Sequence, residues 1–390
     1  MLRKFTINGI LGVSSGLLGL LNYLVFIKVE GLAALGVWAT VSIIIVLSQF
    51  VEYGLTDGVF RQIASKDNKD EESKAEFITT SLIVFLLIGI VLSLLLYVNM
   101  DNFFELTNID IDKWSGVEQL YLYACICIVL SAFTSCLRAV LYGLDLHSQT
   151  NFWMFLCRLI QTCSLMYFIY LGFSYRAQVT SLIIYLILMI IGCIYLTNKK
   201  VNVNLNLFKF KYLTVSNTRL LLNSSKEMFI IKTFQKVFVD ESFKIILARY
   251  AGPEAVGAYS TAFNLAQLYR NTVDLGSKVL LNSTIETKID ELIKYLKKIY
   301  KFVILPLSIC AVLLVITLKH VIRNVDVFAG FTLVYYYLVP LVIAYSINVF
   351  ATPLYYVLIA KREFKILFKA VLISIFTLYS SFFILNNIVM

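Results

Sequence analysis

The chain has 390 residues, of which 59% are hydrophobic and only 15% charged, and its mean hydropathy is +0.82. These values exclude a soluble globular protein, because a soluble fold of this size could not keep so much apolar surface out of water. The net charge of +10 does not predict a nucleic-acid partner, since the basic residues lie at the ends of apolar segments and in loops, where anionic lipid head groups attract them.

Eleven membrane spans are predicted from windows of about 20 mostly apolar residues, the length that an α-helix needs to cross a bilayer. They cover residues 5–27, 35–55, 77–98, 117–143, 152–173, 177–197, 226–249, 256–281, 298–318, 329–359 and 364–387. The first span has no small-residue cleavage site after it, so it is interpreted as a retained helix and not as a signal peptide. If the second half copied the first, a twelfth helix would follow Ile384. The expected fold class is an all-α polytopic membrane protein of about 11–12 transmembrane helices.

The distribution of Lys and Arg among the loops predicts the orientation. With a cytoplasmic N-terminus, the inner segments hold 17 of these residues and the outer loops hold 6. Positively charged loops resist translocation. The N-terminus is therefore predicted to be cytoplasmic.

A repeat relates the two halves of the chain. Residues 29–40 (VEGLAALGVWAT) match residues 250–261 (YAGPEAVGAYST) at a shift of 221 positions. The shift superposes Gly31 on Gly252 and Gly36 on Gly257. Membrane proteins built from two parallel halves are commonly transporters. Two pseudo-symmetric helical bundles are predicted, 1–198 and 226–390, joined by a basic cytoplasmic linker at 199–225.

Polar residues inside the spans indicate function, because each is costly in a bilayer and tends to face a bundle interior or a watery cavity. In the predicted eighth span, five polar residues recur at alternating steps of three and four, which places them on one helical face. They are Asn264, Gln267, Asn271, Asp274 and Lys278, with Arg270 at the flank of this face. The predicted first, second and seventh spans add Asn22, Gln49, Glu52, Lys232, Lys236 and Asp240. These four helices are expected to line a central cavity.

Three features together resemble the polysaccharide flippases known as Wzx, which belong to the multidrug/oligosaccharidyl-lipid/polysaccharide (MOP) exporter superfamily. They are the first predicted helix, which follows the basic residues Arg3 and Lys4, the G-x-x-A-x-G-x-W segment from Gly31 to Trp38, and the run EYGLTDGVFRQ from Glu52 to Gln62. The resemblance covers most of the chain and is strongest over 1–65 and 226–285. It implies a MATE-like fold, in which two helical bundles face each other across a central cavity and alternate between inward-open and outward-open forms.

The resemblance also implies a substrate, an undecaprenyl-diphosphate-linked oligosaccharide repeat unit. The unit would be moved from the cytoplasmic to the periplasmic leaflet of the bacterial inner membrane for O-antigen or capsular polysaccharide assembly. Membrane lipids, a polysaccharide polymerase and a chain-length regulator are the further partners expected.

Such a substrate assigns roles to the polar residues, because a diphosphate and its sugars need cations and hydrogen-bonding groups along the path. The predicted diphosphate contacts are Lys232, Lys236, Arg270 and Lys278. The predicted sugar contacts are Asn22, Gln49, Asn264, Gln267 and Asn271. The acidic residues are Glu52, Asp240 and Asp274. They either bind a coupling proton or sodium ion or neutralise neighbouring lysines, and the sequence leaves both readings open.

Two other functions are weighed against the flippase. A membrane polymerase or glycosyltransferase of the same pathway would fit the D-x-D triplet from Asp110 to Asp112, but the longest outer loop, 99–116, is short for a reaction domain. The chain is therefore predicted not to be an enzyme. A multidrug exporter of the same superfamily needs an aromatic pocket with an acidic centre for cationic drugs, whereas a lysine-rich cavity favours an anion.

The remaining unusual residues have no assigned function. All seven cysteines fall within predicted spans as packing residues, and no disulfide framework, metal site or cofactor is predicted beyond the coupling ion. Arg138 and Arg158 also lie within spans, where they either snorkel to the membrane surface or face the cavity.

Overall fold

The computed structural model describes residues 2–64, 71–201, 214–235, 242–277, 289–324, 332–361, 363–374 and 376. Every regular element in these ranges is helical. The helices are α1 (Leu2–Ala64), α2 (Glu71–Val98), α3 (Met100–Thr107), α4 (Val117–Gly143), α5 (His147–Tyr170), α6 (Arg176–Val201), α7 (Val215–Gln235), α8 (Ser242–Ser277), α9 (Ile289–Ile299), α10 (Leu305–Asn324), α11 (Thr332–Ala360) and α12 (364–374), with a π-helical turn, Tyr300–Ile304, joining α9 to α10.

The all-α polytopic class predicted from composition is confirmed. Seven segments of the described residues are long and apolar enough to cross a membrane. Large apolar side chains remain exposed along these helices, for example Leu94 on α2, Phe152 on α5 and Ile191 on α6. Outward-facing apolar surface of this extent suits contact with lipid and not with water.

Individual helices differ in how closely they follow the predicted spans. The predicted span 117–143 and the helix α4 share the same bounds, and the first two predicted spans lie on either side of a kink at Gly31 within α1. The short helix α3 lies where a loop was predicted. Its aromatic side chains explain it, because Phe104 is buried against Tyr121 of α4, with ring centroids 5.4 Å apart.

Cα–Cα proximity groups the chain into two compact units, Met1–Ala39 with Tyr250–Leu367 and Thr40–Arg249 with Phe368–Met390. In the first unit α10 packs against α11, and in the second α4 packs against both α2 and α6. The division predicted from the sequence, with bundles 1–198 and 226–390 joined by 199–225, stays a prediction.

The two copies of the sequence repeat share an unusual backbone conformation. Gly31 interrupts α1 with φ 86° and ψ 169°, and Gly252 interrupts α8 with φ 81° and ψ 176°. This region favours glycine, because a side chain there costs about 1–3 kcal/mol. The 221-residue shift therefore relates two segments that share a local backbone conformation as well as a sequence pattern.

A reciprocal contact follows each of these breaks, and we call it the glycine crossing (Leu32, Gly36, Pro253 and Gly257). A Cβ added at Gly36 would overlap the carbonyl oxygen of Pro253, and one added at Gly257 would overlap the carbonyl oxygen of Leu32. Because the repeat shift carries Leu32 onto Pro253, the two contacts are equivalent, as a two-fold relation requires. Small residues allow backbones to approach this closely within a membrane.

The segment that resembles the Wzx flippases, 52–62, contributes packing within the second unit. Gly54 lies against the backbone of Phe229 on α7. Phe60 meets the ring of His147 edge-on, with centroids 6.3 Å apart. Gly143, at the end of α4, leaves room for Ile63, whose Cβ would lie 2.8 Å from an added Cβ. Glycine and aromatic residues in this run thus fix the C-terminal part of α1 beside the turn between α4 and α5.

Candidate substrate-binding site

The polar face predicted for the eighth span lies on α8, in the first unit. Asn264, Gln267, Arg270 and Asp274 are partly exposed, and Asn271 is exposed. The adjoining face of α8 is packed, since Ala266 and Val273 are buried. Helical periodicity therefore separates a packed stripe from an accessible polar stripe on the same helix.

A tyrosine of α11 holds the cation of this face. The Arg270 Cζ lies 5.7 Å from the ring centroid of Tyr345, which is a cation–π contact. Phe263, about two turns earlier on α8, meets the same ring edge-on, with centroids 5.9 Å apart. The guanidinium is thus placed against a buried aromatic ring, which limits the positions that its charge can take.

A second tyrosine of α11 holds the carboxylate of the face. The Tyr356 hydroxyl donates a hydrogen bond to Asp274 Oδ1 over 2.6 Å, a length typical of a bond to a charged oxygen. Tyr345 and Tyr356 are eleven residues apart, so they lie on one face of α11. Two tyrosines of one helix therefore position the two charged groups of the other.

Removing the Tyr356 hydroxyl tests this arrangement. We expect Tyr356→Phe to lower the free energy of unfolding by about 1.5–3 kcal/mol, because Asp274 loses a charge-assisted hydrogen bond. Thermal unfolding of the detergent-purified protein measures the change. Tyr336→Phe is the matched control, since Tyr336 lies on the same helix with its side chain 71% exposed. Equal melting of both variants and wild type would show that the bond contributes nothing.

Asn22 on α1 is the buried polar residue of the first unit that was predicted to contact sugar. Its side chain is only 4% exposed, and its Oδ1 has no hydrogen-bond partner among the described residues. An unmet buried acceptor costs about 1–3 kcal/mol, so this oxygen has acceptor capacity that the described residues leave unused. The same helix packs on α8, because Gly16 leaves space for Leu268, whose Cγ would lie 2.7 Å from an added Cβ.

The other predicted site residues are not placed by the structure. Lys236, Asp240 and Lys278 lie outside the described residues, as do the side chains of Gln49, Glu52 and Lys232. Their roles stay predictions. Sequence reasoning missed Tyr345 and Tyr356, because α11 contains many aromatic residues and only the eleven-residue spacing of these two distinguishes them.

The D-x-D triplet considered for an enzyme has a local structural role. Asp110 Oδ1 accepts hydrogen bonds from the backbone nitrogens of Asp112 and Lys113, over 3.0 and 3.3 Å. A carboxylate that closes its own turn in this way is common in loops. Over the described part of the chain, no three His, Cys, Asp or Glu side chains are grouped as a metal site would need.

Solved structures with the same fold are membrane transporters. The lipid II flippase MurJ in an inward closed conformation aligns with a TM-score of 0.68 and 16% identity, over 94% of this chain and 79% of that chain. An inward-facing multidrug resistance MATE family transporter of the MOP superfamily gives 0.56 and 15%, over 94% and 87%. An outward-facing one gives 0.58 and 14%, over 92% and 84%. The chain therefore has a MOP/MATE-like fold.

Comparison of the sequence with known protein families gives no match, and comparison with curated proteins gives none either. At 14–16% identity, the solved structures establish the fold alone.

Proposed function

We propose that this chain is a Wzx-type flippase. It moves an undecaprenyl-diphosphate-linked oligosaccharide repeat unit from the cytoplasmic to the periplasmic leaflet of the bacterial inner membrane, for O-antigen or capsular polysaccharide assembly. The observation that carries the proposal is the polar face of α8, with Arg270 and Asp274 held by tyrosines of α11. The fold shared with a lipid II flippase supports a lipid-linked substrate.

The polar face supplies what such a head group needs. Charged and polar groups cannot cross hydrocarbon without partners. Arg270 offers a planar set of N–H donors that suits phosphate oxygens, and the amides of Asn264, Gln267 and Asn22 suit sugar hydroxyls. The apolar polyprenyl tail has no need of such groups and stays in lipid while the head group passes.

Ion coupling belongs to the same proposal. Alternating access needs a source of free energy or a substrate gradient, and a carboxylate in the path is a natural binding group for a proton or sodium ion. Asp274 is the predicted coupling residue within the described part of the chain, and Tyr356 fixes one of its oxygens.

A multidrug exporter is the second candidate, because aromatic rings surround the same face. Tyr259 lies 5.8 Å from both Phe263 and Tyr337, measured between ring centroids. An aromatic cluster on the helix that also carries the carboxylate of Asp274 would suit a flat organic cation. Arg270 opposes this reading, because its charge already lies over Tyr345 and repels a second cation.

Genetic complementation separates the two candidates. In a strain that lacks this gene, we expect the wild-type chain to restore surface glycan and to leave resistance to cationic dyes unchanged. Both are measured in the same cells, by glycan staining and by growth in dye. Dye resistance without any effect on glycan would move the assignment to the drug exporter.

A further inference from the structure

Arg158 of α5 belongs to the second unit and has no role in the site on α8. Eleven residues precede it within α5 and twelve follow it, so at 1.5 Å per residue it lies about 17 Å from either end of the helix. The apolar core of a bilayer is about 30 Å thick. In the candidate membrane span His147–Tyr170, this charge therefore lies near the middle.

The direction of the side chain shows that Arg158 does not point to lipid. Cys157, Gln161 and Leu165 are buried, and together with Arg158 they form one protein-facing arc of α5. Leu159 and Ile160, on the other arc, are more than 40% exposed. A lysine or arginine that snorkels to the membrane surface lies near a helix end, which excludes that reading for Arg158.

Two neighbours fix the guanidinium without neutralising it. Arg158 Nη1 donates to Gln161 Oε1 over 2.6 Å, and Arg158 Cζ lies 4.7 Å from the ring centroid of Tyr185 on α6. Among the described residues, Arg158 has no carboxylate partner, and its Nε and Nη2 make no hydrogen bond. A charge kept at mid-membrane without a counter-ion is costly.

The free groups of this cluster are all hydrogen-bond donors. Over the described residues, Gln161 Nε2 and the Tyr185 hydroxyl have no partner either. The Nε–Nη2 edge of a guanidinium pairs with two oxygens of one anion, and phosphate fits this edge well. Arg158, Gln161 and Tyr185 together offer one charged fork and two neutral donors.

We propose that Arg158, Gln161 and Tyr185 form a phosphate-binding site at mid-membrane that receives the diphosphate of the substrate during its passage. This inference rests on the proposed flippase function. Phospholipid head groups stay at the bilayer surface, about 15 Å from this depth, so a phosphate reaches the cluster only while it is being carried across.

Binding by the purified full-length chain tests the proposal. The protein is placed in nanodiscs of phosphatidylcholine, and the probe is labelled undecaprenyl diphosphate. We expect Arg158→Gln to bind the probe about 10- to 100-fold more weakly, as loss of charged hydrogen bonds implies. Arg158→Lys, which keeps the charge but not the two-donor edge, should fall between Arg158→Gln and wild type.

Arg176→Gln is the matched control and should bind within about twofold of wild type. Arg176 Nη1 also donates to a glutamine, Gln119, over 2.9 Å, but this hydrogen bond is exposed and lies at the start of α6. Melting temperatures of all variants show whether each one is folded. A variant that melts earlier but binds normally per folded molecule would show that Arg158 only joins α5 to α6, and would overturn the proposal.

Competition identifies the source of the phosphate. We expect unlabelled undecaprenyl diphosphate to compete with the probe and phosphatidylglycerol not to compete. Competition by phosphatidylglycerol at equal concentration would overturn the assignment to a transported substrate. Normal binding by Arg158→Gln, with glycan export intact, would overturn this site alone and leave the proposed function standing.

Discussion

Alanine at Gly36 or at Gly257 is expected to reduce the amount of folded protein sharply. Each added methyl group would overlap a backbone carbonyl oxygen of the partner segment, that of Pro253 or of Leu32. A backbone cannot turn away as a side chain does, so the two segments must move apart. Overpacking typically costs about 1–3 kcal/mol, and occasionally more. The readout is the amount of monodisperse protein on size-exclusion chromatography, together with its melting temperature.

The reciprocal contacts of the glycine crossing lead to a second, quantitative expectation. Gly36→Ala and Gly257→Ala should have similar effects, and the double variant should lose less than their sum, because one separation relieves both overlaps. Gly19→Ala is the control, since a Cβ at Gly19 meets nothing within 4 Å. Melting of Gly36→Ala within a degree of wild type would show that the glycine crossing is not tightly packed.

Arg270→Ala is expected to remove most of the surface glycan while the protein remains in the membrane at its normal level. The side chain is partly exposed and lies over Tyr345, so its removal leaves no large buried cavity. Loss of a charge-assisted contact to phosphate costs about 1.5–3 kcal/mol, which slows transport about tenfold or more. Quantitative glycan staining, with immunoblotting for the protein, measures both effects.

Two companion variants make the Arg270 result specific. Arg270→Lys keeps the charge but loses the planar fork, so partial glycan export is expected. Cells that carry Lys294→Ala should export glycan normally, because Lys294 is exposed on α9. Wild-type glycan from Arg270→Ala would remove Arg270 from the substrate path.

Much of this fold could be predicted from periodicity and repetition in the sequence. The match of Gly31 to Gly252 predicted a shared local structure, and both residues do adopt the same rare backbone conformation. The steps of three and four from Asn264 to Asp274 predicted one accessible polar face, which α8 shows. Local patterns of this kind survive folding, because a helix fixes which residues share a face.

Contacts between segments that are distant in the sequence could not be predicted in the same way. Nothing in the sequence pairs Asp274 with Tyr356, which lies 82 residues later, because tyrosine in an apolar helix is also a common packing residue. The interpretation of Arg158 also needed the structure. Its sequence context allowed both snorkelling and an inward direction, and only the burial of Cys157 and Gln161 decided between them.

The location of the lipid-linked repeat unit in cells without this protein tests the central claim most directly. An impermeant glycan-binding probe is applied to spheroplasts and to opened membrane vesicles of the deletion strain. If the protein is a flippase, single undecaprenyl-diphosphate-linked units should accumulate and be reached only from the cytoplasmic side. Units that the probe reaches on intact spheroplasts, yet that are never polymerised or transferred, would contradict the account and indicate an enzyme acting after the flip.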